Sequence, residues 1–257
     1  MQVHGETVFI TGGASGLGAA TAKLFASHGA DVGILDRNEE GGRAVAAETG
    51  ARFLSCDVAS GESLEEAFSE LVATIGPPRV AIACAGIGAG KQVVGRHGPH
   101  SLDLFEKVVA VNLVGLFNFV RLAAWAMHDL EPVGDDDERG VIITTASIAA
   151  TDGVDGGVAY SASKGGVRGM TLPLARDLAP YGIRAVSISP GSFDTPLVAG
   201  MPQEYTDAMA ATTPFPPRFG KGEEFAALCA HIVSNTMLNG VDIRLDGAMR
   251  MTPSRLR

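Results

Sequence analysis

The sequence predicts an α/β fold, a doubly wound parallel sheet of about seven strands with helices on both faces. Short apolar segments rich in β-branched residues alternate with longer segments that have the 3.6-residue period of helices. The strand segments are almost continuously apolar, as expected for strands covered on both faces. With 257 residues, of which 46% are hydrophobic, the chain is long enough for one large core.

The predicted elements follow one another along the chain without a linker-like stretch, so residues 1–257 are predicted to form one domain. The strands are predicted at Thr7–Thr11, Asp31–Asp36, Ala51–Asp57, Val80–Ala85, Val141–Ser147, Ile183–Pro190 and Val241–Leu245. The helices are predicted at Leu17–His28, Glu39–Thr49, Ser63–Ile75, Leu102–Met127, Tyr160–Ala179 and Glu223–Val233. In such a sheet, ligands bind at the carboxyl ends of the strands, and functional residues are expected there.

Composition narrows the class of protein. A net charge of −9 argues against general affinity for nucleic acid or an anionic membrane. Three cysteines without a C-x-x-C spacing indicate a reducing compartment and no zinc site. The consecutive acids of Asp135–Arg139 indicate a solvated loop rather than a metal site. No signal peptide and no uninterrupted run of about 18 apolar residues is found, so we expect a cytoplasmic protein without a membrane span or a metal.

A glycine-rich turn follows the first strand and reads T-G-G-A-S-G-L-G. Gly12 permits a sharp turn, while Gly16 and Gly18 let the backbone approach a pyrophosphate and let the next helix pack closely. The start of that helix presents free N–H groups to an anion. The predicted phosphate-binding residues are Gly12, Ser15, Gly16, Leu17 and Gly18.

A carboxylate ends the second strand, 18 residues after Gly18. Asp36 in that position accepts hydrogen bonds from the adenosine ribose and repels a 2′-phosphate, which favours NAD over NADP. Arg37 beside it weakens the exclusion slightly, and a helix N-cap is the alternative role for Asp36. The third and fourth strands end with further predicted cofactor contacts, Asp57 and Val58 at the adenine and Cys84, Ala85 and Gly86 near the backbone of the cofactor.

Tyr160 and Lys164 lie four residues apart in Y-S-A-S-K-G-G, on one face of a predicted helix. This spacing alone leaves two interpretations open, a catalytic pair or a buried phenol beside a solvated lysine. Ser147 at the end of a strand is either a cap or a hydrogen-bonding group for a substrate. Asn112 within V-V-A-V-N-L-V-G-L-F is either a satisfied core amide or a functional residue.

Together these motifs resemble the short-chain dehydrogenase/reductase family, and they occur in the family's order between residues 7 and 196. The resemblance implies a Rossmann-type domain and a nicotinamide cofactor. Cys84 departs from the asparagine that many members have there. With R-G-V-I-I-T-T-A-S and the C-terminal L-N-G-V-D-I-R-L-D-G-A-M-R-M, it makes the chain resemble type II 3-hydroxyacyl-CoA dehydrogenases. That subgroup implies NAD-dependent interconversion of a 3-hydroxyacyl-CoA and a 3-ketoacyl-CoA.

The resemblance also implies roles for the four candidate catalytic residues. Tyr160 is expected to be the general base, with its pKa lowered by the ammonium group of Lys164 and by the positive nicotinamide of NAD⁺, and Lys164 is expected to hold the nicotinamide ribose as well. Ser147 is expected to hydrogen-bond the substrate oxygen, and Asn112 to take part in a water-linked proton relay to Lys164. The segment after the sixth strand is expected to turn over the nicotinamide, with contacts from Pro190, Phe193 and Thr195.

Residues of about 192–220 are rich in Pro, Met and Phe, which predicts a substrate lid, with an ordinary surface loop as the alternative. Four basic residues meet either CoA phosphates or solvent, namely Lys91, Arg96, Arg218 and Lys221. The glycines Gly165, Gly166 and Gly169 weaken the Tyr160 helix but permit close helix packing, and the family implies a homotetramer or dimer across it. A broad secondary-alcohol or hydroxysteroid dehydrogenase is the alternative enzyme, and a cofactor-binding scaffold protein is the alternative from another class.

Overall fold

The computed structural model describes residues 1–196 and 203–251, which contain nine strands and nine α-helices. The strands are β1 (Thr7–Thr11), β2 (Asp31–Asp36), β3 (Arg52–Ser55), β4 (Val80–Ala83), β5 (Val94–Gly95), β6 (Gly98–Pro99), β7 (Gly140–Thr145), β8 (Ile183–Pro190) and β9 (Asp242–Leu245). The helices are α1 (Gly16–Ser27), α2 (Glu39–Thr49), α3 (Gly61–Ile75), α4 (Leu102–Val109), α5 (Leu116–Met127), α6 (Ala149–Asp152), α7 (Val158–Leu178), α8 (Gln203–Ala211) and α9 (Gly222–Ser234).

Seven strands form one sheet in the order β3-β2-β1-β4-β7-β8-β9, and every pairing within it is parallel. The predicted fold class is therefore confirmed. The chain winds outward in opposite directions from β1 and β4, so a crevice opens between the carboxyl ends of these two strands. The remaining pair, β5 and β6, forms a short antiparallel hairpin that the sequence analysis did not predict.

Both faces of the sheet are covered by helices, and the two cores follow from the period of two along each strand. Phe9 packs under α3 and α5 with Phe68 and Phe119. Its neighbour Ile10 belongs to the opposite core, which includes Phe25 of α1 and further residues of α9. Because adjacent strand residues enter opposite cores, nearly continuous apolar segments are required, as the sequence predicted.

Three strands end two residues before their predicted ends. The structure places the last residues of β3, β4 and β7 at Ser55, Ala83 and Thr145. The chain makes one further ladder hydrogen bond beyond β4, from the amide of Cys84 to the carbonyl oxygen of Thr11 (3.0 Å), and then leaves the sheet. The residues that follow β3 and β4 therefore line the crevice instead of continuing the sheet, and Ser147 after β7 lies beside it.

The helix predicted over Leu102–Met127 is interrupted by a π-helical segment, Ala110–Gly115, which includes Asn112. Such segments often occur at functional sites.

The helical run over Leu102–Met127 is long and apolar enough to cross a membrane by length and composition, with half of its most apolar window buried inside the fold. Core helices pass the same test, so this is weak support for a membrane span. The expected absence of membrane association stays a prediction.

The lid segment is described only in part, because residues 197–202 lie outside the described ranges. The described portion contains α8 and then a loop, residues 212–221. Gly220 pairs with Phe193 in an isolated bridge, and Gly247 near the C-terminus accepts a hydrogen bond from the amide of Phe215 (3.4 Å). The base of the segment is thus attached both to the end of β8 and to the chain after β9.

Candidate active site

The glycine-rich turn forms a concave cradle before α1. Gly12 and Gly16 have φ angles of 71° and 53°, in the left-handed region that favours glycine. A Cβ atom on Gly18 would lie 2.2 Å from the carbonyl oxygen of Gly12, so only glycine fits there. Ser15, the N-cap of α1, makes no side-chain capping hydrogen bond. The first N–H groups of α1 therefore face the cavity, where they can bind an anion.

Asp36 is held in a defined orientation at the edge of this cradle. Its carboxylate oxygens accept hydrogen bonds from the amides of Ala14 (3.1 Å) and Asn38 (2.9 Å). The helix-capping alternative for Asp36 is wrong, because Asn38 is the N-cap of α2 and accepts a hydrogen bond from the amide of Gly41 (3.2 Å). Asp36 is thus positioned for a ligand that enters the cavity.

A cavity of about 430 Å³ brings most of the predicted site residues together. Its wall also contains residues that the sequence analysis did not name, such as Ile87, Val111 and Thr145. The predicted residues that line it are Gly12, Ser15, Gly16, Leu17, Gly18, Asp36, Asp57, Val58, Cys84, Ala85, Gly86, Tyr160, Lys164 and Thr195.

Four predicted residues do not line this cavity. Phe193 is a core residue, 6% exposed, whose ring packs against Gly220, and Pro190 is buried at the end of β8. Ser147 and Asn112 are buried beside the cavity, at 8% and 0% exposure. The side chain of Phe193 therefore contributes packing rather than a surface for a ligand.

Lys164 is buried, with 3% of its surface exposed, and donates a hydrogen bond to the carbonyl oxygen of Thr145 (2.7 Å). Burial lowers the pKa of Lys164 to about 8, because the interior disfavours its charged form. Its Nζ atom lies 5.9 Å from the centre of the Tyr160 ring. The pair predicted from the i, i+4 spacing is therefore brought together inside the cavity and not at a solvated surface.

The expected direction of the Tyr160 pKa is wrong for the protein by itself. Burial raises the pKa of Tyr160, while a hydrogen bond with Ser147 opposes that change. The loss of water around the phenol is the larger of these two effects, and the Nζ atom of Lys164 lies over the ring rather than beside the hydroxyl oxygen. Tyr160 therefore keeps its proton at neutral pH.

Ser147 connects the end of β7 with α6. Its hydroxyl oxygen accepts a hydrogen bond from the amide of Ala149 (3.1 Å), the first residue of α6. The same side chain hydrogen-bonds Tyr160. The two interpretations of Ser147, a local cap and a member of the site, are therefore compatible.

Asn112 ties three segments together. Its Oδ1 atom accepts from the amide of Ile87 (2.8 Å), and its Nδ2 atom donates to the carbonyl of Ile87 (2.9 Å) and to the hydroxyl of Ser163 (3.2 Å). Ser163 in turn donates to the carbonyl of Tyr160 (2.8 Å). Both amide hydrogens of Asn112 are used in supporting the site, and its part in a proton relay stays a prediction.

Thr145 is a functional residue that sequence reasoning missed. Its carbonyl holds Lys164, and its hydroxyl donates to the sulfur of Cys84 (3.6 Å). Burial raises the pKa of Cys84 to about 11, so the thiol is neutral and acts as a hydrogen-bond acceptor. The available signal was its place on the strand that ends just before Ser147. Among residues 1–196 and 203–251, no group of three His, Cys, Asp or Glu side chains is placed to hold a metal.

Comparison with known proteins agrees with this geometry. The family model described as short chain dehydrogenase matches residues 6–206. The chain is 46% identical to 3-hydroxyacyl-CoA dehydrogenase type-2 of Homo sapiens over 256 residues, which cover 98% of each chain.

Two solved structures extend the comparison. The crystal structure of 3-hydroxyacyl-CoA dehydrogenase type-2 from Mycobacterium avium has a TM-score of 0.90 at 38% identity and covers 97% of this chain and 98% of its own. The 3-ketoacyl-(acyl-carrier-protein) reductase from Brucella melitensis, complexed with NADH, has a TM-score of 0.87 at 28% identity over 97% and 100%. The chain therefore belongs to the short-chain dehydrogenase family and is an oxidoreductase.

Proposed function

We propose that this protein is an NAD-dependent dehydrogenase that interconverts a 3-hydroxyacyl-CoA and a 3-ketoacyl-CoA. The observation that carries the proposal is that Tyr160, Lys164 and Ser147 meet beside a dinucleotide cradle. The substrate class rests on the high identity to 3-hydroxyacyl-CoA dehydrogenase type-2 along almost the entire chain.

The cavity fits NAD(H). The cradle presents backbone N–H groups to the pyrophosphate, and a Cβ on Gly18 would fill the space where the turn closes. The carboxylate of Asp36 accepts hydrogen bonds from ribose hydroxyls and repels a 2′-phosphate, which favours NAD over NADP. When bound, the nicotinamide supplies the hydride chemistry. Lys164 and Thr195 at the other end of the cavity would hold the nicotinamide half.

Tyr160 exchanges the proton with the substrate oxygen. Because burial raises its pKa, the phenol is protonated at neutral pH and is ready to donate to a ketone in the direction of reduction. In the direction of oxidation, Tyr160 first releases its proton, and the ammonium group of Lys164 stabilises the resulting phenolate, which then takes up the proton of the alcohol. Ser147 donates its hydroxyl hydrogen to the substrate oxygen and orients Tyr160. Asn112 keeps the catalytic helix in place and takes part in the relay to Lys164.

The basic residues differ in their suitability for CoA phosphates. Arg218 is already bound to Glu224 through two hydrogen bonds of 2.9 and 2.7 Å. Lys91 and Arg96 are exposed on the segment that contains the β5–β6 hairpin, and the amide of Lys91 donates to the carbonyl of Gly156 (2.7 Å), in the loop before α7. We favour Lys91 and Arg96 over Arg218, since within residues 1–196 and 203–251 no carboxylate neutralises them in a bidentate pair.

A homotetramer is the proposed assembly. A Cβ on Gly165 or Gly169 would meet no atom within 4 Å, so this side of α7 is open and can receive a second helix closely. Val114 of the π-helical segment and Phe117 of α5 are apolar and are 58% and 46% exposed. Light scattering at micromolar concentration is expected to give a tetrameric mass, and a monomeric mass would contradict the proposal.

The proposed location is the cytoplasm. Three free cysteines support it, since they fit a reducing compartment, and fractionation of cells tests it.

The decisive experiment is the reduction of acetoacetyl-CoA, followed by the loss of NADH absorbance. Tyr160→Phe is expected to lower kcat by at least about 100-fold, because it removes the proton donor, and to leave the Kd for NADH nearly unchanged. Tyr181→Phe is the matched control, since Tyr181 lies 47% exposed at the far end of α7 and should retain wild-type turnover. Equal rates for Tyr160→Phe and wild type would refute the assignment.

A substrate panel separates the alternatives. Higher kcat/KM for a hydroxysteroid or a simple secondary alcohol than for a 3-hydroxyacyl-CoA would identify the broad dehydrogenase instead. Binding of NADH without turnover of any panel member would favour a scaffold protein.

A further inference from the structure

The guanidinium group of Arg244 joins two separate segments, the short helix that follows Ser147 and the turn after β9. Arg244 lies on β9, in register with Ser189 of β8. It donates to both carboxylate oxygens of Asp152 at 2.8 and 2.9 Å and to the hydroxyl of Thr151 at 2.8 Å. On its other side it donates to Asp246 at 2.7 Å and to the carbonyl of Met249 at 2.9 Å. We call this set the Arg244 clamp.

The first segment held by the clamp carries Ser147. Helix α6 is a single turn that begins two residues after Ser147 and ends at Asp152. A helix of this length is not stable alone, because the conformational entropy lost in forming the first turn exceeds the stabilisation from its few hydrogen bonds. An acidic residue at its carboxyl end is also unfavourable for the helix dipole. The bidentate pair with Arg244 compensates both effects, and it holds the pKa of Asp152 well below its usual range.

The second segment is the turn after β9, residues 246–251. Asp246 accepts from the amide of Ala248 (3.0 Å), and the amide of Met251 donates to Asp152 (3.1 Å). The base of the lid rests on this turn, because a Cβ on Gly247 would lie 2.5 Å from the side chain of Thr213. The clamp therefore connects the base of the lid with the turn that carries Ser147.

We infer that Arg244 is a positioning residue for the reaction, which holds Ser147 against Tyr160 and keeps the lid base at the same site. The inference rests on the proposed function, since it requires this site to be catalytic. Ser147 is anchored on its upstream side by the sheet, where the amide of Ala146 donates to the carbonyl of Ile188 (2.8 Å). On its downstream side the amide of Ile148 donates to the carbonyl of Pro190 (3.1 Å), and the clamp holds the end of α6 at Asp152. Loss of the clamp removes one of the two downstream anchors of the Ser147 turn and leaves the cofactor cradle, which lies on α1 and β2, untouched.

The test compares Arg244→Gln and Asp152→Asn, singly and together, by kcat for acetoacetyl-CoA and by the Kd for NADH. Each single variant is expected to lower kcat at least tenfold with the Kd for NADH changed less than about twofold. The double variant is expected to lose no more than either single one, because both remove the same unit. Arg244→Lys, which keeps the charge without the fork geometry, is expected to recover only part of kcat.

Arg79→Gln is the matched control. Arg79 is a similarly embedded arginine that pairs with Glu6 (3.0 Å) and donates to the carbonyls of Glu131 and Arg139. It lies just before β4, at the amino ends of the strands, whereas the site lies at their carboxyl ends. It is expected to lower the midpoint of unfolding and to leave kcat unchanged. The inference is overturned if Arg244→Gln and Asp152→Asn keep kcat within twofold, or if kcat and NADH affinity fall together.

The comparison still decides the role of Arg244 if one variant does not fold or if acetoacetyl-CoA is not a substrate. If Arg244→Gln does not fold, Asp152→Asn decides alone, because it leaves the Arg244–Asp246 pair in place. If wild type itself does not turn over acetoacetyl-CoA, the proposed substrate fails, and the same comparison is made with the best substrate of the panel. The split between turnover and NADH affinity then still decides the role of Arg244.

Discussion

Replacing Lys164 with methionine is expected to stabilise the protein while it removes the activity. Burial lowers the pKa of Lys164 from 10.5 to about 8. At about 1.4 kcal/mol per pKa unit, the ammonium group costs the folded protein roughly 3 kcal/mol near neutral pH. Methionine removes this cost but leaves the carbonyl of Thr145 without its donor, a loss of about 1–2 kcal/mol. The net expectation is a gain of about 1–2 kcal/mol in the free energy of unfolding.

The pH dependence of stability gives the sharper test. Between the folded and unfolded pKa values of Lys164, the unfolded chain binds the proton and the folded protein does not, so stability rises with pH. For wild type, this group adds about 1 kcal/mol to the free energy of unfolding between pH 7 and pH 9. Cys84, whose pKa is raised, acts in the opposite direction above pH 9, because only the unfolded thiol then ionises. The difference between wild type and Lys164→Met isolates the lysine in the lower window.

The assay is unfolding by urea at pH 7, 8 and 9, at one protein concentration. Lys107→Met serves as the control, because Lys107 is exposed on α4 and should change neither the stability nor its slope with pH. The reasoning is refuted if Lys164→Met is less stable than wild type at pH 7, or if both proteins gain the same stability between pH 7 and pH 9. Either result would mean that Lys164 does not carry a costly buried charge.

Three further predictions concern the cofactor site and the core. Asp36→Asn should lower the preference for NAD over NADP, measured as a ratio of kcat/KM, by about tenfold or more, because it removes the repulsion of a 2′-phosphate. Gly18→Ala should weaken NADH binding at least tenfold by fluorescence titration, since the Cβ would lie 2.2 Å from a backbone oxygen, whereas Gly61→Ala, whose Cβ would lie 4.0 Å from the Asn118 side chain in ordinary contact, should leave binding unchanged. Glu138→Gln should cost about 3–5 kcal/mol in urea unfolding, because it leaves the buried Arg184 without its carboxylate; an undiminished midpoint would show that this ion pair is dispensable.

The sheet was predictable because each strand is a local pattern. Thr7–Thr11, Asp31–Asp36 and Ile183–Pro190 agree with the structure at both ends. β3, β4 and β7 end two residues earlier than predicted, since the departure of the chain from the sheet depends on groups contributed by other segments. The β5–β6 hairpin and α6 were missed because two-residue strands and a one-turn helix have too little periodicity to be recognised.

The π-helical segment at Asn112 was missed for a related reason. An apolar helical period continues through it, and only the contacts of Asn112 with Ile87 and Ser163 distinguish it from an ordinary helix. Those partners lie 25 and 51 residues away along the chain. The sequence could therefore indicate an unusual amide but not its partners.

The sequence by itself determined the features that depend on near neighbours. These are the strand–helix alternation, the glycine turn before α1, the carboxylate at Asp36 and the pairing of Tyr160 with Lys164 on one helical face. Tertiary structure alone decided which groups lose their water. Lys164 loses its water in the interior, where it donates to the carbonyl of Thr145, and Tyr160 loses water beside Ser147. Desolvation depends on segments that meet only in the folded chain, and so spacing predicted the pair but not the direction of the Tyr160 pKa.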